Sequence, residues 1–527
     1  MDISNQQSMA SSAGRVSLAT AISRILGLVR EQVQAYFFGA GMATDCFVAA
    51  FRVPNLLRDL FAEGALSSAF IPVFKEKIIR RSREEAYRLA NFTMSDLILI
   101  TGAIVALGII FTPAIIYVTA KGFLNEPGKF DLTVNLTRLM FVFLIMVSVS
   151  AVQMGILNSM GRFGVPALSS ALFNVGMIIA PIFLYSYFDV PIYTMAIGVI
   201  IGGIGQIVFQ LPSLARIGFK FKFSLNFKDE GIRRIGRLLS PMVLGLSASR
   251  INILISTLLA SLLVQGAMSY LSYAYRLMHF PLGVFGVALG TVALPKISED
   301  VARNNFDQLL KTFYEAIGLS MFLIVPSAVY LAGFGEDLVR LIYQRGAFDA
   351  EATLRTAQSL LYYSIGLVGF AGVRVAAPVY YALGDAKRPM YYSIVSVLLN
   401  IIFNFAFIFL FGGLSSPNAI AGLAAATSVA GLANFLLLIV NLRKMVGGVN
   451  YTYLVVHFMK ISVGALLALL AIRFFRIDAI IHVTGLWTKI LVVFLQVSGM
   501  AAIYLLILHL MKVREVGRLL GLLRRIR

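Results

Sequence analysis

Arg24, Arg30, Arg58 and Arg276 stand inside stretches that otherwise read as apolar helix. At 1.5 Å per residue, Arg24 falls about 14 Å and Arg30 about 22 Å into the first such stretch. By the same rise Arg58 falls about 20 Å into the second, within "FRVPNLLRDLFAEGALSSAF" (51–70). A charge at the bilayer centre costs roughly 2.5–3.5 kcal/mol on insertion scales, so each position demands compensation. Two forms of it are open. The nearby acids Glu31, Asp45, Asp59 and Glu63 allow structural ion pairs. Alternatively, the arginines line a hydrated cavity for an anion, to which Arg250 and Arg374 add positive charge. Guanidinium stays ionised and offers parallel donors that match phosphate oxygens, a geometry that a lysine ammonium lacks. Deep cations that are all arginine therefore point to a phosphate-bearing ligand. Arg15, Arg138, Lys460 and Lys489 lie near the ends of their stretches, where snorkelling accounts for them.

The elements that carry these residues are helices of membrane type. The 527 residues are 59% hydrophobic and 13% charged, with a mean hydropathy of +0.85. A membrane-crossing helix needs about 20 mainly apolar residues, and about fourteen such runs are legible. The first set covers 15–40, 45–74, 89–118, 132–157, 166–187, 191–214 and 237–263. The second covers 269–294, 310–333, 356–383, 389–412, 419–441, 452–474 and 485–511. The expected fold is an all-α polytopic membrane protein.

A net charge of +20 suggests nucleic acid until the charges are placed. With a cytoplasmic N-terminus, Lys and Arg concentrate in the inner segments 75–88, 215–237 and 512–527. The outer loops hold only Lys121, Lys129, Arg340, Arg345, Arg355, Arg473 and Arg476. This is the positive-inside asymmetry, which places both termini in the cytoplasm and argues for membrane lipids, not nucleic acid, as partners. The start "MDISNQQSMASSAG" lacks the pattern of a cleavable signal, so the first helix is expected to direct insertion. Cys46 is the single cysteine, and His279, His457, His482 and His509 show no metal-ligand spacing. No Walker sequence is present, so neither a nucleotide nor a metal cofactor is expected. Cys46, near the outer start of the second run, is expected to report outside access.

The first and second runs resemble the seventh and eighth. Ser23-Arg24 aligns with Ser249-Arg250, Pro54 with Pro281, and "AFIPVFKE" (69–76) with "VALPKISE" (292–299). An even number of helices separates the units, so the repeats run parallel. The expected division is a six-helix lobe over 1–214, a basic cytoplasmic linker over 215–236, and a second six-helix lobe over 237–444. Residues 445–527 then hold two further helices and a basic tail. Pro54 and Pro281 each remove an intrahelical donor and are expected to interrupt their helices at matching repeat positions. Either break has a purely structural reading as a kink, or a role in a moving or cavity-lining segment.

The stretch "SRILGLVREQVQAYFFGAGMATDCFVAAFRVPNLLRDLFAEGALSSAFIPVFKE" (23–76) resembles the MurJ (MviN) family of bacterial lipid II flippases. "GILNSMGRFGVPALSSALFNVGMI" (155–178) and "YRLMHFPLGVFGVALGTVALPKIS" (275–298) are similar to further segments of that family. The resemblance implies two six-helix bundles plus two helices forming a groove for a polyprenyl tail. It also implies a transporter, not an enzyme, working by alternating access in the bacterial inner membrane. Its cargo would be lipid II, the undecaprenyl-diphosphate-linked peptidoglycan precursor, and other cell-wall synthesis proteins its associates. The family's functional arginines match Arg24, Arg30, Arg58 and Arg276, and its acid on the second helix matches Asp45. Coupling or gating candidates are Pro54, Glu63, Arg250, His279, Pro281, Arg374, Asn400 and Asn404. Coupling to membrane potential or to a monovalent cation is the expectation in place of a cofactor. Two departures stand out. Tyr275 and His279 replace the acids that often flank the family's arginine on the eighth helix, so a hydrogen-bonded His279 is favoured over a titrating one. Asn400, Asn404 and Thr427 occupy a region where the family sometimes holds sodium with a carboxylate; lacking one, they favour helix–helix hydrogen bonding. The rival readings are a flippase for another polyprenyl-linked oligosaccharide and a cation-coupled drug exporter.

Overall fold

The computed structural model describes residues 3–61, 65–475 and 485–517. It describes their side chains except at 3–17, 60, 61, 65, 240–249 and 286–294. The described secondary structure is helical, and ten helical spans are long and apolar enough to cross a membrane. The chain forms two compact units.

The first unit holds residues 1–269 together with 345–348. Its helices are α1 (Ile3–Phe38), α2 (Met42–Phe61), α3 (Ala65–Arg80), α4 (Arg83–Ala120) and α5 (Lys129–Phe141). They continue with α6 (Phe143–Ser159), α7 (Gly164–Leu184), α8 (Tyr193–Arg216) and α9 (Glu230–Ser261). The described residues of the second expected run are helical in α2 and α3, and Glu63 lies outside the described residues. Local chemistry sets several boundaries. Ser82 caps α4 by accepting from Glu85 N at 3.2 Å, and Asp229 caps α9 by accepting from Gly231 N at 2.8 Å. The core joins Phe70, Phe74, Phe141, Phe143, Leu144 and Ile156. Helices α7 and α8 meet backbone to backbone: a Cβ on Gly176 would lie 2.4 Å from Gly202 N. Small residues permit this approach, which replaces a hydrophobic drive that lipid cannot supply.

Two expectations are corrected here. Helix α2 runs unbroken from Met42 through the buried Pro54, so that proline does not interrupt it. A proline costs one intrahelical bond and one ring clash, which a packed neighbourhood tolerates. Residues 215–236 are also not a free linker. Residues 219–226 are extended along α4: Asn91 donates to Lys220 O at 3.4 Å and accepts from Lys222 N at 3.2 Å. Ser95 accepts from Ser224 N, and Asp96 accepts from Asn226 N. This strap, with the Lys77–Asp229 and Arg234–Glu76 pairs, ties α9 into the first unit. The compact boundary therefore falls after Ser269 instead of before the second repeat.

The second unit holds α10 (Ala267–Pro281, from Tyr270 onward), α11 (Val287–Ala302), α12 (Phe306–Ile342) and α13 (Ala350–Ala382). It ends with α14 (Lys387–Leu410), α15 (Ala419–Val446), α16 (Tyr451–Phe474) and α17 (Leu486–Leu510). Its α13 and α15 pack as α7 and α8 do, with Gly369 against the Gly431 backbone. Between α10 and α11 the chain makes a π-turn over Leu282–Gly286. Here Pro281 does end its helix. Helix α12 leaves helical geometry at Phe334 (φ −121°, ψ 19°), where Arg473 of α16 donates to Gly333 O at 2.8 Å. The apolar run stops at 333 because Glu336, Asp337 and Arg340 follow, while the helix continues past the kink to Ile342.

Candidate functional site

In the first unit the arginines fall into two groups. Arg30 Nη1 donates to Asn174 Oδ1 of α7 at 3.1 Å, and Nη2 pairs with Glu31. Its guanidinium also lies 5.9 Å from the centre of the Phe173 ring. Asn174 Nδ2 in turn donates to Ser23 O at 3.2 Å, so one amide fixes both α1 and the arginine. Sequence reasoning missed Asn174; the signal was a lone amide in the apolar run of α7. Arg24, one and a half turns earlier on α1, is exposed.

The second group is built on Asp59. Arg58 Nη2 lies 3.1 Å from Asp59 Oδ1, and Arg250 Nη1 of α9 lies 2.8 Å from Asp59 Oδ2. One carboxylate thus serves two guanidinium groups, all three side chains being about 13–26% exposed. Arg52 also projects from α2 and is half-buried. Among the described residues of α1, α2 and α9 at these depths, Arg24, Arg30, Arg52, Arg58 and Arg250 outnumber Glu31 and Asp59. Ion pairing and excess positive charge therefore coexist. Such an arrangement orients guanidinium donors and leaves field for an incoming anion.

Asp45, expected beside the arginines as a ligand contact, is instead enclosed. Its Oδ1 accepts from Ser269 N at 2.9 Å and Ser269 Oγ at 2.6 Å, and its Oδ2 from Gly266 N at 2.7 Å. Lys129 Nζ lies 3.2 Å from Oδ2 and 2.7 Å from Glu126 Oε1, above the Phe123 ring at 4.4 Å. Asp45 and Lys129 are each 1% exposed. Lys129, read as an outer-loop charge, is thus a buried partner that the sequence did not disclose. Cys46 is corrected likewise: it is fully buried, with Sγ 3.4 Å from Lys129 O.

In the second unit Arg276 is exposed on α10. His279 Nδ1 lies 3.1 Å from Tyr275 O, and the two rings approach to 4.0 Å. The hydrogen-bonded reading of His279 is the one realised. Arg374 of α13 donates to Leu282 O at 3.5 Å, supplying a partner where the π-turn follows Pro281. Asn404 Nδ2 donates to Asn400 Oδ1 at 3.1 Å, and Thr427 turns back to Leu423 O. Both asparagines are 1% exposed, and no carboxylate bonds to them among the described residues. This neutral pair is arranged as expected for hydrogen bonding within the helix bundle. No group of three or more His, Cys, Asp or Glu that could hold a metal occurs among the described residues.

A profile of the family described as "Lipid II flippase MurJ" matches residues 34–509. The chain belongs to the MurJ family. A similar relative is the "Probable lipid II flippase MurJ" of Buchnera aphidicola subsp. Acyrthosiphon pisum (strain APS), 36% identical over 426 residues, covering 80% of this chain and 81% of that one. Among solved structures, "Lipid II flippase MurJ, inward closed conformation" is similar at 28% identity with a TM-score of 0.76, covering 93% and 97% of the two chains. An inward-facing multidrug resistance MATE transporter of the MOP superfamily shares the fold at 14% identity, with a TM-score of 0.67 and 82% and 98% coverage. The arginines on α1 from Arg24 to Arg30 precede the profile match, whereas those on α2, α9, α10 and α13 fall inside the MurJ profile.

Proposed function

We propose that this chain is a flippase that carries lipid II from the inner to the outer leaflet of the bacterial cytoplasmic membrane. It is a transporter and makes or breaks no covalent bond. Membership of the MurJ family supports the cargo, and the excess of arginine over carboxylate on α1, α2 and α9 carries the mechanism. In this reading Arg24, Arg30 and Arg58 bind the diphosphate, and Arg276 is a further substrate-binding residue. The prenyl tail stays in lipid. Asp59 holds Arg58 and Arg250 ready, and Asn174 does the same for Arg30. Arg374 and Pro281 shape the π-turn, a class of irregularity frequent at functional sites. The lysines and arginines of 75–88, 215–237 and 512–527 support cytoplasmic termini. Other cell-wall synthesis proteins are the expected associates. A cation-coupled drug exporter would call for net acidic side chains where this chain carries arginine.

The test replaces the host's own flippase with this chain and its variants in a growing bacterium, with outer-leaflet lipid II as the readout. Arg24→Ala, Arg58→Ala and Arg276→Ala each abolish export while inserting at normal levels. Lysine at the same positions restores only part of it, since charge returns without the fork. Arg138→Ala and Lys489→Ala stay close to the parent. Normal export by all three alanine variants overturns the diphosphate site.

A further inference from the structure

The strap between α8 and α9 has a pattern that transport does not use. Residues 219–228 read FKFKFSLNFK and are extended through Asn226. In an extended chain alternate side chains share a face. One face carries Phe219, Phe221, Phe223 and Leu225, and Phe227 follows in the turn over 227–228; the other face begins with Lys220 and Lys222. Phe219 is buried against Tyr87, but Phe221, Phe223, Leu225 and Phe227 are exposed, Phe223 at 62%. The even-numbered backbone groups are spent on Asn91, Ser95 and Asp96, so α4 holds the strap in place. No acidic residue occurs between Arg216 and Lys228.

The depth of the strap follows from α4. Large apolar side chains exposed on that helix run from Leu99 to Val118. At 1.5 Å per residue this band is about 28 Å tall, close to the roughly 30 Å of a hydrocarbon core. The strap's anchors Asn91, Ser95 and Asp96 then lie about 12, 6 and 4.5 Å below the band's edge. Headgroups occupy about 5–8 Å on each side of the core, so the segment held at Ser95 and Asp96 lies in that zone, while Lys220 and Lys222, held at Asn91, lie a few ångströms outside it and reach it through their long side chains. Exposed phenylalanines at this depth meet the acyl boundary, and lysines beside them meet phosphates.

We infer that residues 219–228 form an interfacial anchor that inserts Phe221, Phe223, Leu225 and Phe227 into the bilayer boundary and binds anionic phospholipid through Lys220, Lys222 and Lys228. The proposal rests on the membrane-spanning reading of α4 and not on the identity of the transported cargo. The full chain carrying Trp487→Phe, which removes its only tryptophan, and Phe223→Trp is placed in phosphatidylcholine nanodiscs. Brominated phosphatidylglycerol or brominated phosphatidylcholine is added at equal mole fraction, the bromines being near the headgroup end. The tryptophan is quenched by both lipids, more strongly by phosphatidylglycerol, and is shielded from aqueous iodide. Lysine-to-glutamine changes at 220, 222 and 228 lower the phosphatidylglycerol preference about fivefold per residue removed. Phe227→Trp serves as a second reporter if the first variant folds poorly. Quenching by iodide without quenching by bromolipid overturns the proposal and leaves the face to a soluble partner. Equal quenching by the two bromolipids overturns the anionic recognition.

Discussion

Asp45 and Lys129 form the most enclosed charged pair described in the chain, and their energetics separate structure from transport. Breaking a buried pair from one side leaves a charge without compensation and costs about 3–5 kcal/mol. Lys129→Met leaves Asp45 without a counter-ion and should lower stability by that order in denaturant unfolding from mixed micelles, whereas Asp45→Asn leaves Lys129 paired with Glu126 and should cost less. The double variant should lose less than the sum, with a coupling of about 0.5–3 kcal/mol. Strict additivity would show that the two side chains act independently. Arg58 differs because Asp59 is shared with Arg250, so a charge of the right sign remains for either arginine to recruit.

At the scale of elements, backbone contact between α7 and α8 sets the position of Asn174 and hence of Arg30. A Cβ on Gly202 would stand 2.8 Å from Phe173 Cα, whereas one on Gly205 meets only the Leu172 side chain at 3.5 Å. Gly202→Ala should destabilise by about 1–3 kcal/mol through overpacking. Gly205→Ala should be neutral or gain up to about 1 kcal/mol from helix propensity. Thermal unfolding of the purified variants reads both, and equal behaviour would deny the close approach. The contact between α2 and α5 gives a second prediction. Cys46 packs on Lys129 O, so an impermeant maleimide should label the parent chain slowly. Labelling should quicken in Asp45→Asn, where the grip on Lys129 weakens. Fast, equal labelling of both would mean that α2 and α5 are apart in the membrane.

For the whole molecule the open question is energy. Lipid II carries a diphosphate, and an inside-negative potential favours moving that charge outward. Each charge crossing the full field gains about 2.3 kcal/mol per 100 mV, so two gain roughly twice that, less whatever charge moving arginines offset. We propose that membrane potential sustains export, since the chain carries no Walker sequence and Asn400 and Asn404 offer no charged cation site. Collapsing the potential with an ionophore, at constant ATP and pH gradient, should halt the appearance of outer-leaflet lipid II. Export unchanged over many turnovers would remove potential as the driver.

Hydropathy runs and charge placement were legible in the residues because bilayer thickness and the loss of water act on every helix alike. They located the helices and the deep arginines. The family resemblance at 23–76 came from the same residues. Sequence could not say which partner each charge would find, since partners distant in sequence meet only after helices pack. Lys129 reaches Asp45 across 84 positions, and Arg250 reaches Asp59 from a helix expected in the other lobe. Pro54 and Pro281 illustrate the same limit: aligned in the repeat, one lies within a continuous helix and the other opens a π-turn. The strap on α4 was equally hidden, because alternating Phe and Lys state a two-faced segment but not what it lies against. Tertiary packing decided those choices by supplying, or withholding, the hydrogen-bond partners that membrane-depth backbone and charge require.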